Sequence, residues 1–70
     1  MEEFKLLIES IGFKYNKIYD NYAYEEFRIY LWKDVYTFHN GSNWFNNIPL
    51  NDLTPILKLI RSYKLKQILR

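Results

Sequence analysis

The stretch YEEFRIYLWKDVYTFHNGSNWF, residues 24–45, decides the fold. Within it Phe27, Ile29 and Leu31 are separated by single residues, so a β-strand would place all three on one face. The residues between them would lie on the opposite face. The alternation resumes at Val35 after a polar pair, and the sequence therefore predicts a three-stranded antiparallel meander.

The polar pair at 33–34 is the first turn of this meander. If it forms a two-residue hairpin loop, Leu31 lies opposite Tyr36 and Ile29 lies opposite Phe38, which gives apolar cross-strand pairs. Lys-Asp is not a favoured sequence for the tight type I′ turn. A longer loop is therefore the alternative.

The second turn is the Asn-Gly-Ser sequence at 40–42, since Asn and Gly both tolerate positive φ. Either residues 41–42 or residues 40–41 form its centre. Both registers direct Phe45 towards the apolar face and Trp44 away from it.

An amphipathic helix is expected over residues 2–11, before the sheet. Its apolar residues follow the i, i+3, i+4, i+7 spacing and are Phe4, Leu7, Ile8 and Ile11. Gly12 is suited to the left-handed residue that ends a helix, and Phe13 can then fold back onto Ile8 as in a Schellman motif.

Residues 13–19 have the pattern of an edge strand. Ile18 interrupts the alternation, so a β-bulge at that residue is an alternative. A turn at Asp20-Asn21 is expected to follow, and a long strand begins near Tyr22. The sequence therefore predicts four strands in all.

The remaining residues predict helical structure. Pro49 ends the last strand, and Asn51 or Thr54 is expected to cap a helix, Thr54 being favoured because a proline follows it. The apolar stripe of this helix is Ile56, Leu59, Ile60 and Tyr63. The stripe is not continued cleanly beyond Ser62, so one bent helix and two short helices both fit the pattern.

The predicted element order is α-β-β-β-β-α in a single domain, residues 1–70. Short connections make the sheet antiparallel, and helices packed on it give a two-layer α+β fold. The chain has no cysteine and no stretch of the ~20 apolar residues that a membrane span needs. Its acidic start does not resemble a signal peptide. We expect a cytoplasmic protein.

The composition points to an A/T-rich genome. Half of the residues are Phe, Tyr, Met, Ile, Asn or Lys, whose codons are rich in A and T. A short, cysteine-free chain from such a genome suits a phage or viral accessory gene, or an A/T-rich bacterium. In the viral case the protein would act in the host cytoplasm.

No residue pattern indicates catalysis or a metal site. His39 is the only histidine and there is no cysteine, so the nucleophile–base pair available is Ser42 with His39. The two residues are separated by a tight turn, where surface roles are the simpler interpretation. Glu25 and Glu26 are adjacent, so on a strand they would point to opposite faces. We expect no enzymatic activity, no metal and no cofactor.

The first candidate binding surface is the outer face of the meander, here called the outer aromatic face: Arg28, Tyr30, Trp32, Thr37, His39 and Trp44. Trp, Tyr and Arg dominate the hot spots of protein interfaces, and aromatic rings beside cations also stack single-stranded nucleic acid. Two alternatives stay open. The C-terminal helix could cover this face, or a homodimer could bury it.

The second candidate is the basic C-terminal stretch, which carries no acidic residue: Lys58, Arg61, Lys64, Lys66 and Arg70. Such a helix suits a phosphate backbone or an acidic protein groove. The simpler interpretation is that cations stabilise a helix C-terminus and keep one face hydrated. The net charge of the whole chain is +2, which is low for a dedicated nucleic-acid binder.

These features predict a non-enzymatic binding module, most simply a small phage or viral accessory protein that inhibits or modulates a host complex, such as a defence complex, by occluding a binding surface. The first alternative is a protein that binds nucleic acid or a nucleotide through the same two surfaces. The second alternative is a self-associating structural protein.

Overall fold

The computed structural model describes the backbone of residues 2–69 and the side chains of residues 2–65. The elements in chain order are α1 (Glu2–Ile11), β1 (Lys14–Asn16), β2 (Asn21–Tyr24), β3 (Phe27–Trp32), β4 (Val35–His39), β5 (Trp44–Pro49), a 3₁₀ turn (Thr54–Ile56) and α2 (Leu57–Leu69). The strands form one antiparallel meander, ordered β1-β2-β3-β4-β5. The predicted α+β class is confirmed.

The sheet has five strands, so the prediction of four strands is wrong. The long strand expected from Tyr22 onward is divided by a turn at Glu25-Glu26, where Glu25 adopts a φ of 52°. Tyr24 pairs with Phe27 across this turn. The turn places Tyr24 and Phe27 on the same face of the sheet, whereas in an unbroken strand they would lie on opposite faces.

Strand β1 is shorter than predicted and spans Lys14–Asn16. The chain then turns through residues 17–20, where Asp20 has a φ of 52°, and Asn21 already belongs to β2. The Asn16 side chain accepts a 2.9 Å hydrogen bond from the backbone N–H of Ile18. Ile18 therefore lies in a loop that an asparagine side chain stabilises, and the predicted bulge there is wrong.

The register between β3 and β4 is the one expected from a two-residue loop. Ile29 pairs with Phe38 and Leu31 pairs with Tyr36. Lys33 takes the positive φ of the turn, at 55°. Apolar pairing on the inner face therefore determines this register, although the loop sequence is not one that favours a tight turn.

The loop between β4 and β5 is closed by a hydrogen bond of 3.2 Å from the N–H of Asn40 to the carbonyl of Asn43. Its centre is Gly41-Ser42, one of the two predicted registers. Phe45 pairs with Phe38 on the inner face, and Trp44 pairs with His39 on the outer face. The predicted facing of Phe45 and Trp44 is confirmed.

Strand β5 contains a β-bulge that was not predicted from the sequence. The register with β4 shifts between Tyr36 and Phe38, and Asn47 adopts a φ of 54°. Because the bulge adds one residue, Ile48 faces inward and is buried. Without it, Ile48 would lie on the same face as Trp44.

Helix α1 ends as predicted. Gly12 has a φ of 134°. The N–H of Phe13 donates to the carbonyl of Ile8 at 3.0 Å, and the N–H of Gly12 donates to the carbonyl of Glu9 at 3.2 Å. These are the two bonds of a Schellman motif, and they direct the Phe13 side chain into the core beside Ile8.

The C-terminal segment is one continuous α-helix, α2, which a 3₁₀ turn precedes. There is no break at Ser62. The predicted caps, Asn51 and Thr54, are wrong: the Asp52 carboxylate accepts a 3.1 Å hydrogen bond from the N–H of Thr54. Hydrogen bonding to the Thr54 side chain, and then to the Thr54 backbone N–H, lowers the pKa of Asp52.

The core lies between the inner face of the sheet and the two helices. Buried residues of α1, the sheet and the C-terminal segment form one cluster: Phe4, Ile8, Ile11, Phe13, Tyr22, Ile29, Tyr36, Phe38, Ile48, Ile56 and Ile60. The helices contact one another as well. Both therefore belong to a single layer, and none of the residues that the structure describes covers the opposite face of the sheet. No helix in the described part of the chain is long and apolar enough to cross a membrane.

Candidate binding surfaces

The outer aromatic face is open in the structure. Trp32 is 70% exposed and Trp44 is 56% exposed. The 3₁₀ turn and helix α2 pack on the inner face through Ile56 and Ile60, respectively, so the alternative in which the C-terminal helix covers the tryptophans is wrong. The face lies on a five-stranded scaffold whose inner side is packed, and its strands are therefore held firmly.

Trp44 is the centre of an aromatic contact cluster at one end of this face. Its ring centroid lies 4.4 Å from that of His39 and 5.9 Å from that of Tyr30. His39 Nδ1 accepts a 3.2 Å hydrogen bond from the N–H of Gly41, which fixes the imidazole beside the indole. The Trp44 side chain is therefore supported from two strands while more than half of it is exposed.

Trp32 lies at the other end of the face. The register places Trp44 level with Arg28 on β3, so Trp32 is four residues further along, a distance of about 13 Å. Lys33 Nζ lies 5.7 Å from the centroid of the Trp32 ring, within the range of a cation–π contact. Tyr30 and its cross-strand partner Thr37 fill the space between the two indoles.

Arg28 has a local structural role in addition to its place on the outer aromatic face. Its Nη1 donates to the carbonyls of Glu25 and Phe27, each at 2.7 Å. The guanidinium therefore braces the turn between β2 and β3. The remaining N–H groups of Arg28 can still face a partner.

The charged residues on the strands of the outer face are of one sign. One row of residues crosses all five strands and consists of Lys14, Ala23, Arg28, His39 and Trp44. None of the five strands contains an acidic residue. A partner of this face would therefore meet aromatic rings, two cations and a histidine. Carboxylates of the partner would meet no carboxylate on the strands that could repel them.

The basic C-terminal stretch lies in the other layer of the molecule. Lys58, Arg61 and Lys64 are exposed on α2. The side chain of Lys66 and the whole of Arg70 lie outside the described residues. Because α2 packs on the inner face, these cations and the two tryptophans point to opposite sides of the sheet. The two predicted surfaces do not form one continuous site.

The structure contains a third surface, which was not predicted from the sequence. It is a groove of about 530 Å³ between α2 and the inner face near β5, here called the inner groove. Phe45 belongs to its lining and is 40% exposed, although it faces inward. The sequence signal is weak: α2 carries Leu57 one residue outside its apolar stripe, and that side chain is 36% exposed.

The two residues considered for nucleophilic chemistry serve the β4–β5 loop. The N–H of Ser42 donates to the Asn40 side chain at 2.9 Å, and His39 holds Gly41 as described above. Among the residues that the structure describes, no three histidine or carboxylate side chains converge on a metal-sized site.

Comparison with known proteins finds no family model that matches the chain, and no curated protein and no solved structure that matches it.

Proposed function

We propose that this protein is a non-enzymatic binding module that occludes a surface of a protein partner with its outer aromatic face. Trp32 and Trp44 are the anchors, and Tyr30 supports the area between them. The composition supports a phage or viral accessory protein, for which the partner would be a host complex in the host cytoplasm.

The observation that carries this proposal is the exposure of both tryptophans on a packed scaffold. An indole is the side chain most enriched at interface hot spots, and exposure of two on one face is costly for a small domain unless a partner covers them. Trp44 is held between His39 and Tyr30, so little conformational entropy is lost when it binds.

The charge of the face indicates what the partner presents. Lys14 and Arg28 lie in the row that includes Trp44, and no strand residue is acidic. A partner surface with apolar pockets for the indoles and carboxylates at its rim would be complementary. The rim charges would mainly accelerate association and fix the orientation of the complex.

The test begins with native mass spectrometry of the protein isolated from its own source, which identifies a bound partner. The affinity of that purified partner is then measured for Trp32→Ala and Trp44→Ala. We expect each change to weaken binding by about 2 kcal/mol or more. The matched control is Tyr19→Ala, which removes a 68% exposed ring from the β1–β2 loop. Equal affinity of all three variants would refute the proposal.

A second candidate function is the binding of single-stranded nucleic acid by the same face. The lack of acidic strand residues favours it, because phosphates would meet no repulsion there and bases could stack on the indoles. Titration with oligo(dT) should then quench tryptophan fluorescence, and the affinity should fall steeply with salt. Quenching that persists unchanged at high salt, or none at all, would exclude this candidate.

Self-association is the remaining alternative, and measuring the oligomeric state of the isolated protein distinguishes it from both candidate functions. A stable dimer in which Trp32→Ala dissociates the subunits would replace the proposed partner with a second copy of the chain.

A further inference from the structure

The inner groove lies on the opposite side of the sheet from the outer aromatic face, and it has the form of a second binding site. Its floor is the end of a ladder of phenyl rings that crosses three strands. The ring centroids of Phe27 and Phe38 are 5.9 Å apart, and those of Phe38 and Phe45 are 6.2 Å apart. Phe38 is buried, whereas Phe45 is 40% exposed. The ladder therefore runs from the core to an open apolar surface.

The wall of the groove is helix α2. Leu57, Lys58 and Arg61 line it together with Phe45, so two cations stand beside an apolar floor. Neither cation forms an ion pair within the part of the chain that the structure describes. Glu26 lines the groove as well, and the two cations exceed it in charge. An occupant with an apolar side chain and carboxylates is complementary to this arrangement.

The open side of the groove is bounded by β5, the last strand of the sheet. Within the described part of the chain, one side of its backbone therefore has no strand partner, and residues 44–46 are exposed. An extended segment can add to such an edge by main-chain hydrogen bonds and direct alternate side chains into a neighbouring pocket. The bulge at Asn47 and Pro49 limit this pairing to a short stretch.

We propose that the inner groove binds a short, extended acidic peptide segment that carries one aromatic residue. The aromatic side chain inserts between Phe45 and Leu57, and the flanking carboxylates face Lys58 and Arg61. This site is independent of the outer aromatic face, so the protein has one binding surface on each side of its sheet.

The test uses the full chain, isotope-labelled, and the blocked peptide Asp-Asp-Phe-Asp-Asp, followed by amide NMR. We expect saturable shifts at the amides of Phe45, Leu57 and Lys58. The indole N–H signals of Trp32 and Trp44 report on the other face and should stay in place. Replacing the phenylalanine of the peptide by alanine should weaken binding about tenfold, as expected for the loss of one buried apolar contact.

Two adjacent residues supply a matched pair of variants. Phe45→Ser removes the floor and should raise Kd about tenfold, whereas Trp44→Ser alters the outer face and should leave Kd unchanged. Arg61→Glu should raise Kd about fivefold. Its control is Lys17→Glu, which makes the same charge change in the β1–β2 loop at the opposite edge of the sheet. Thermal unfolding of each variant checks that the fold is retained, and Arg61→Glu tests the site without altering its floor.

The proposal is overturned by the absence of saturable shifts, by shifts centred on the indoles, or by binding that Phe45→Ser and Arg61→Glu both leave unchanged. Shifts at the groove amides that depend on protein concentration alone would show that a second copy occupies the groove, and would overturn it as well. These outcomes do not affect the function proposed for the outer face, which is measured by its own partner and variants.

Discussion

The phenol of Tyr36 donates a 2.6 Å hydrogen bond to the backbone carbonyl of Asp52. Tyr36 is fully buried in the middle of the sheet, and Asp52 belongs to the segment that leads into α2. The ring of Phe4, from α1, lies 4.7 Å from the Tyr36 ring. One side chain therefore connects the sheet with both segments that cover it.

Tyr36→Phe should lower the free energy of unfolding by about 1–2 kcal/mol, because the Asp52 carbonyl loses a partly buried hydrogen-bond donor. Urea unfolding at neutral pH measures the change. The control is Tyr30→Phe, which removes a phenolic hydroxyl from the outer face and should have almost no effect. Equal stability of the Tyr36→Phe variant and the wild type would show that the bond contributes nothing.

Alkaline pH should destabilise the protein through the same residue. Burial, and then the negative charge of Asp52, raise the pKa of Tyr36 to about 12. Since this pKa lies above the ordinary value of 10.0, the folded state holds the proton more tightly than the unfolded chain. The stabilisation is complete below pH 10 and is lost as the pH rises towards 12, by at most about 1.4 kcal/mol per pH unit.

The measurement is the difference in unfolding free energy between the wild type and Tyr36→Phe, followed from pH 9 upward. The hydrogen bond to Asp20 raises the pKa of Tyr15 as well, but that residue is present in both proteins and cancels in the difference. A difference that stays constant with pH would contradict the assignment to Tyr36.

Gly12→Ala should be strongly destabilising, by about 1–3 kcal/mol. The φ of 134° at Gly12 is one that side chains rarely adopt, and an added Cβ would lie 2.8 Å from the ring of Tyr24. Thermal or urea unfolding measures the loss. Gly41→Ala is the comparison: its Cβ would meet the flexible Glu26 side chain, so we expect a smaller effect. The opposite ranking would be inconsistent with this packing.

Asn47→Val should destabilise the protein by about 1–2 kcal/mol, since a β-branched residue is disfavoured at left-handed φ. Asn47→Gly should be almost neutral, because glycine accepts this conformation. Comparing the two variants by urea unfolding tests the bulge itself. If valine were tolerated as well as glycine, the strand would not need a left-handed residue before Ile48.

Trp32→Ala should change the free energy of unfolding by less than about 0.5 kcal/mol, as for surface residues that lie outside the core. Ile29→Ala, on the inner face of the same strand, should cost about 2–5 kcal/mol. Circular dichroism with urea unfolding distinguishes the two outcomes. Unfolding of the Trp32 variant would mean that this indole belongs to a core, and the outer-face proposal would then fail.

The face of the sheet on which each side chain lies could be predicted from the sequence where apolar and polar residues alternate strictly. Ile29 and Phe38 pair as expected because that register puts Ile29 and Leu31 of β3 on the same face as Tyr36 and Phe38 of β4. The ending of α1 could be predicted too, since Gly12 is followed directly by an apolar residue. In both cases the local sequence pattern and the burial of apolar side chains in the core favour the same structure.

The turn that was missed involves residues without typical turn chemistry. Glu25 takes a left-handed φ that its side chain does not favour, and burial of Tyr22 and Phe27 on the same side outweighs that cost. The change in apolar parity between Tyr24 and Phe27 is the signal that could have revealed this turn. A similar change between Phe45 and Ile48 marks the bulge.

The binding surfaces depend on packing, which periodicity does not contain. The sequence places Trp32 and Trp44 on one face, but whether α2 covers that face depends on which stripe of α2 is buried. The inner groove exists because α2 leaves Phe45 partly uncovered. This partial exposure depends on where α2 packs relative to β5, and no local sequence pattern in residues 44–61 predicts that position.

The order of the strands in the sheet is also their order in the chain, and this has a consequence for the folding reaction. Each strand joins a neighbour that precedes it directly, so every step closes only a short loop and loses little chain entropy. The sheet can assemble one hairpin at a time from any starting hairpin. The packing of α1 on the sheet, where the Phe4 ring meets that of Tyr36, and the packing of α2 against α1 join residues far apart in the chain, and these contacts are the non-local steps of the reaction.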